Sequence, residues 1–127
     1  MQKYFVYIAI LLLASCSEDL FIVVNHDTSP IRFEFRERGI FHVDRGLRLQ
    51  CIDRLTVNDL TLSNAAVWQI IRSDSHDGKC EEIGSISYGA KINGYKTTIS
   101  AKPLKNDHRY RVSGIANGKA GLADFRI

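Results

Sequence analysis

Ile31, Phe33 and Phe35 alternate with Arg32, Glu34 and Arg36, and this two-residue period constrains the fold more than anything else in the chain. Successive side chains of a β-strand point to opposite faces, so the pattern fits a strand with one face buried and one wet. The period recurs. Leu47, Leu49 and Cys51 alternate with Arg48 and Gln50, which predicts that Cys51 points into the core. Ala66, Trp68 and Ile70 share one face of a further strand. Tyr110 and Val112 face inward with Arg109 and Arg111 outward, and Ala123, Phe125 and Ile127 alternate with Asp124 and Arg126. Residues 20–24 form a continuous apolar run rich in β-branched side chains. Leu55 and Val57, then Leu60 and Leu62, predict one strand or a pair of short strands around Asn58 and Asp59. Residues 83–88 and 97–101 are two more strand candidates.

Turn formers punctuate these segments. Residues 25–30 end the first run, and Ser73, Asp74, Ser75, His76, Asp77 and Gly78 separate the Trp68 strand from Cys80. Asn117-Gly118 between two alternating segments is a strong hairpin signal, because both residues tolerate positive φ. Seven to nine short strands with few helix signals in about 110 residues predict an all-β fold, an antiparallel immunoglobulin-like β-sandwich. Trp68, in mid-strand, suits a large filler between sheets. Leu104 and Tyr110 stand in an arrangement like the tyrosine corner, in which the hydroxyl bonds nearby backbone. A small barrel is the alternative.

The first residues carry a different message. Lys3 provides a positive start, residues 5–12 are apolar, and Leu13-Ala14-Ser15-Cys16 matches a bacterial lipobox. The apolar run is short for a permanent transmembrane helix and ends at small residues suited to a signal peptidase. The predicted organisation is a signal peptide at 1–15, a lipidated N-terminus at Cys16 with a tether to residue 19, and a sandwich domain over 20–127. An ordinary signal peptide or a short membrane anchor with an incidental cysteine is the competing reading. Two or three acyl chains on Cys16 would hold firmly, at about 0.8 kcal/mol per buried methylene. Ser17 rather than Asp after the cysteine favours the outer membrane, facing the periplasm.

Removal of the signal takes Lys3 with it, so the formal charge of +3 falls to +2. Nothing here calls for nucleic acid. Cys51 and Cys80 remain as an even pair in an oxidising compartment, which predicts a disulfide. They lack metal-site spacing, and neither belongs to a Cys-x-x-Cys redox pattern.

From Trp68 to Ile127 the sequence resembles a diffuse group of short, uncharacterised proteobacterial lipoproteins with immunoglobulin- or fibronectin-like sandwich domains. The stretches that carry the likeness are Val67-Trp68-Gln69-Ile70, Ile86-Ser87-Tyr88-Gly89 through Asn93-Gly94-Tyr95, Lys102-Pro103-Leu104 leading to Tyr110-Arg111-Val112, and the closing residues 121–127. Asn93 stands where that group often has a proline. The resemblance implies a fold and an address and transfers no catalytic residue.

No motif announces catalysis. His26, His42, His76 and His108 fall in or beside predicted turns, without metal-binding spacing, and read as solvated surface residues. Residues 73–84 look superficially like a calcium loop, but Ser73 and Ser75 replace acidic ligands and Gly84 occupies the place of the bidentate carboxylate. No Gly-x-Ser-x-Gly elbow and no nucleotide-binding glycine pattern occurs. Arg32, Arg36, Arg109, Arg111 and Arg126 would form a basic strip if their strands pair, although Glu34, Glu37 and Asp124 interleave with them. The expectation is a non-catalytic binding or structural module of the cell envelope, held to the membrane through Cys16, without cofactor or metal. Its expected partner is an envelope protein or peptidoglycan. The alternative is a periplasmic inhibitor, on the analogy of lysozyme inhibitors, or a small-ligand carrier. An inhibitor would use a protruding polar loop such as residues 73–79, and a carrier a deep apolar cavity.

Overall fold

The computed structural model describes residues 20–38, 44–73, 80 and 82–127. Nine strands lie among them: β1 (Phe21–Asn25), β2 (Arg32–Arg38), β3 (Asp44–Leu47), β4 (Ile52–Asp59), β5 (Ala65–Arg72), β6 (Ser85–Ser87), β7 (Tyr95–Ile99), β8 (Arg109–Ala116) and β9 (Lys119–Arg126). They build two antiparallel sheets. In the first, β1 pairs with one edge of β2, while β6 and β3 share its other edge. The second runs β7-β5-β4-β8-β9. β1, β2 and β6 take the A, B and E places of an immunoglobulin-like sandwich, and β5, β4, β8 and β9 take C′, C, F and G. β7 extends the second sheet beyond C′. The strands form two sheets rather than one closed cylinder, so the barrel alternative falls.

The two-residue period determines what lies between the sheets. Ile22, Phe33, Phe35 and Ile86 project from the first sheet onto Leu55, Val57, Trp68, Ile70, Tyr110, Val112 and Phe125 of the second. Phe33 is the aromatic hinge of this core, with its ring centroid 6.2 Å from Trp68 and 5.7 Å from Phe125. Each such side chain contributes about 1.5–3 kcal/mol by leaving water. Among the described residues, this cluster runs from Leu20 to Phe125.

Local hydrogen bonds lock the ends. The Tyr110 hydroxyl accepts a bond from the Lys105 backbone N–H at 2.7 Å, closing the tyrosine corner that the Leu104–Tyr110 spacing suggested. Asn117 and Gly118 have φ of 50° and 75°, as a two-residue hairpin turn requires, and β8 and β9 pair from Ala116↔Lys119 outward. Gly121 is glycine for a different reason. A Cβ there would overlap the carbonyl of Leu20, which crosses beneath β9 and donates its N–H to the Ala120 carbonyl at 3.1 Å. The chain therefore enters the domain at the β9 edge.

The alternation misleads in three places. Leu47 and Leu49 are exposed, at 58% and 61%, because β3 ends at Leu47 and residues 48–50 run along the rim, held by the Arg48 N–H on the Phe35 carbonyl and the Gln50↔Ile83 bridge. Cys51 is buried, as its phase indicates, and Ile52 beside it leads the core-facing residues of β4. Leu60 and Leu62 form no second strand: residues 60–64 are a turn, and Leu62 is exposed. Val67, out of phase with Trp68, is buried as well. Residues of the 88–102 connection close over that position: the Val67 carbonyl accepts the Lys102 N–H at 3.0 Å and faces the Tyr88 hydroxyl at 3.4 Å. Burial, reinforced by Tyr110, pushes the Tyr88 hydroxyl up to about 12, so it stays a donor to the Lys102 carbonyl at 2.6 Å.

Candidate functional site

Cys16, the expected lipidation site, lies outside the described residues, as do His42, His76 and most of the loop at 73–79. Cys51 and Cys80 form a disulfide, with Cα atoms 5.7 Å apart, within the ordinary range. It ties the start of β4 in one sheet to the segment leading into β6 in the other. Arg72 seals this end, with Nη1 3.1 Å from Cys51 Sγ and Nη2 3.1 Å from the Asp53 carboxylate. Among the described residues, no group of three or more His, Cys, Asp or Glu side chains is placed to hold a metal.

His26 is exposed, its ring 6.4 Å from that of Phe125. His108 differs from the solvated turn histidine that the sequence suggests. Its Nδ1 is 2.7 Å from Oδ2 of Asp59, which is only 2% exposed. Asp59 Oδ1 also accepts the backbone N–H groups of Thr61 and Leu62 at 2.9 and 3.2 Å, capping the turn after β4. Burial pushes the Asp59 carboxyl up, but the bonds from His108, Thr61 and Leu62 outweigh it and hold the pKa below the usual value. The neighbouring Thr61 hydroxyl accepts the Arg109 N–H at 2.9 Å. Asp59 Oδ1 and the Thr61 hydroxyl thus hold backbone, while Asp59 Oδ2 holds the His108 ring. Sequence reasoning missed it because Asp59 and His108 are 49 residues apart and meet only through the β4–β8 register, which sets Asp59 opposite Tyr110.

The second sheet's outer face carries a groove of about 580 Å³. Cross-strand registers arrange it in rows. Thr56 sits opposite Gln69 on one side and Ser113 on the other, and Ser113 opposite Leu122. Gln69 Nε2 donates to the Thr56 hydroxyl at 2.9 Å, and the Thr98 hydroxyl donates to Gln69 Oε1 at 2.8 Å. The adjacent row sets Arg54 between Ile71 and Ile115, with Ala120 beyond Ile115. Leu20 lines the groove where the chain enters. This surface is therefore a polar ribbon flanked by aliphatic side chains, with the exposed guanidinium of Arg54 inside it.

Its charge is one-sided. Arg54, Lys96, Arg109, Arg111 and Arg126 project from this face, and among the described residues Asp124 is the single carboxylate interleaved with them. Asp124 is engaged by Arg111 at 2.6 and 3.0 Å, bonds that hold its carboxyl below the ordinary range. Arg109 and Arg126 stand directly opposite each other. The strip foreseen from the sequence thus divides. Arg32 and Arg36 lie on the outer face of the other sheet, where Arg36 meets Glu34 at 2.8 Å and Asn25 donates to the same carboxylate at 3.1 Å. Comparison with family models, curated proteins and solved structures finds no match for this chain.

Proposed function

We propose that this protein is a non-catalytic binding or structural module of the cell envelope, tethered through a lipidated Cys16, and that its binding surface is the grooved outer face of the second sheet. The observation that carries the reading is this face: about 580 Å³ of groove beside five cations and one committed carboxylate, at the edge where the chain enters. The lipobox at residues 13–16 supports the tether, and the disulfide supports an oxidising compartment. Asp59, whose Oδ1 caps the turn after β4, supports a structural role for the one buried charge among the described residues.

The test is site-specific photocrosslinking in intact envelopes. A crosslinker at Ser113 should capture an envelope component, and one at Ser85, on the opposite outer face, should not. Equal capture from both, or none from Ser113, would remove the groove as the binding surface. Small-ligand carriage is the second reading, because the groove's volume falls in the range of small-molecule sites. It ranks second because the groove runs along a sheet surface and not into the core. The inhibitor reading rests on the loop at 73–79, of which residues 74–79 lie outside the described residues.

A further inference from the structure

We propose that the grooved face of the second sheet lies against an anionic phospholipid surface, so that the domain sits flat on the bilayer beside its anchor. This rests on the tethered-module reading above and names the ligand of that same surface. Two independent observations carry it.

The first is charge and apolarity on one face. Arg54, Lys96 and Arg126 form no ion pair with a carboxylate among the described residues, and Asp124, paired with Arg111, also draws on Arg109. The mature chain carries a net charge of only +2, so this side is more basic than the molecule as a whole. Leu122, 59% exposed, and Ile71, 36% exposed, rise among the cations. Cations interspersed with aliphatic side chains suit a headgroup interface, where basic groups meet phosphate and apolar ones enter the acyl boundary. The opposite outer face is less basic among the described residues: Arg32 and Arg36 share it with Glu34, which Arg36 and Asn25 engage.

The second observation is where the chain enters. Leu20 lines the groove and is bonded to β9 through Ala120. Cys16 is four residues earlier, a reach of at most roughly 14 Å when fully extended. A tether of that length brings this edge, and no distant one, to the membrane plane.

The test uses residues 17–127, which contain the core cluster from Leu20 to Phe125 and lack Cys16, with vesicles of phosphatidylcholine alone or mixed with phosphatidylglycerol. The domain should sediment with the phosphatidylglycerol vesicles, stay free of the neutral ones, and be released by salt. Arg54→Gln should weaken vesicle partitioning about fivefold, the usual loss for one cation near such a surface, and Arg54→Gln combined with Arg109→Gln about twenty-five-fold. Arg32→Gln, on the other face, should leave it unchanged. Absence of sedimentation, or equal weakening by Arg32→Gln, would overturn the proposal. So would tighter retention on purified peptidoglycan than on the acidic vesicles. Because no lipid anchor is present, failure here leaves the tether untouched. That reading falls instead if metabolic palmitate labelling survives Cys16→Ser.

Discussion

At the scale of single residues, burial and hydrogen bonding separate positions that composition cannot. Trp68 is fully buried between Phe33 and Tyr88, with ring centroids 6.2 and 5.3 Å away. Trp68→Ala removes that packing and should cost about 3–5 kcal/mol in urea melts of residues 17–127. Arg109 is exposed, and its one bond to Thr61 uses the backbone N–H, which alanine retains. Arg109→Ala should therefore change stability by about 0.5 kcal/mol or less. Comparable losses at the two positions would mean that the strand phases are wrong. Asp59 makes a pH-dependent prediction. Its folded pKa lies below the unfolded value, so its contribution is complete above the unfolded pKa and fades as pH falls through the folded one. The stability gap between wild type and Asp59→Asn should shrink as pH drops from about 5 to about 2. A gap constant over that range would refute the assignment of this carboxylate as the ionised cap.

At the scale of elements, the sequence was legible wherever a strand had a partner on each side. Phe33 and Phe35, Leu55 and Val57, Trp68 and Ile70, and Tyr110 and Val112 all occupy the face that their alternation indicates. The failure at Leu47 and Leu49 has a plain cause. Leu47 and Leu49 alternate as well as any of these, but periodicity reports the two faces of a segment and not whether a second sheet covers either one. The grooved face was hidden for a related reason. Arg54, Thr56, Gln69, Ser113 and Leu122 become neighbours through three cross-strand registers, and registers are not local properties of a chain. Turns were easier to read, since Asn117-Gly118 carries its geometry in its side chains. Gly121 tests the least legible contact of all. Gly121→Ala would push a methyl into the Leu20 carbonyl, so the chain entry must shift and the Leu20–Ala120 bond weaken. Amide hydrogen exchange at Leu20 should accelerate in that variant while exchange at Val112, in central β8, stays slow. Equal acceleration at both would show that the substitution damages the core and not the entry.

At the scale of the whole molecule, the two ends of the sandwich are closed by different chemistry. Asp59 pairs with Tyr110 at one end, where His108 and the capped turn hold β4 against β8. Ile52 pairs with Ala116 at the other, where Leu20 enters and Cys51 reaches Cys80. The second end has its own polar contacts, with Arg72 on the Asp53 carboxylate, which also accepts the Asn117 N–H at 3.3 Å. The disulfide adds a covalent link there between the start of β4 and the approach to β6, one in each sheet. The bridge spans a sequence separation of 29 residues, and a loop of that size is worth about 3.5 kcal/mol when closed in the unfolded chain. Because the constraint acts mainly on the unfolded state, its removal should lower stability without rearranging the sheets. The double variant Cys51→Ala, Cys80→Ala should therefore keep the wild-type far-UV circular dichroism and unfold about 3 kcal/mol more easily in urea. Protein isolated from the envelope should show the two cysteines linked by non-reducing mass spectrometry. A double variant as stable as wild type would show that the native bridge stores as much strain as it removes entropy. Free thiols in the isolated protein would refute the oxidising compartment on which the tethered-module reading depends.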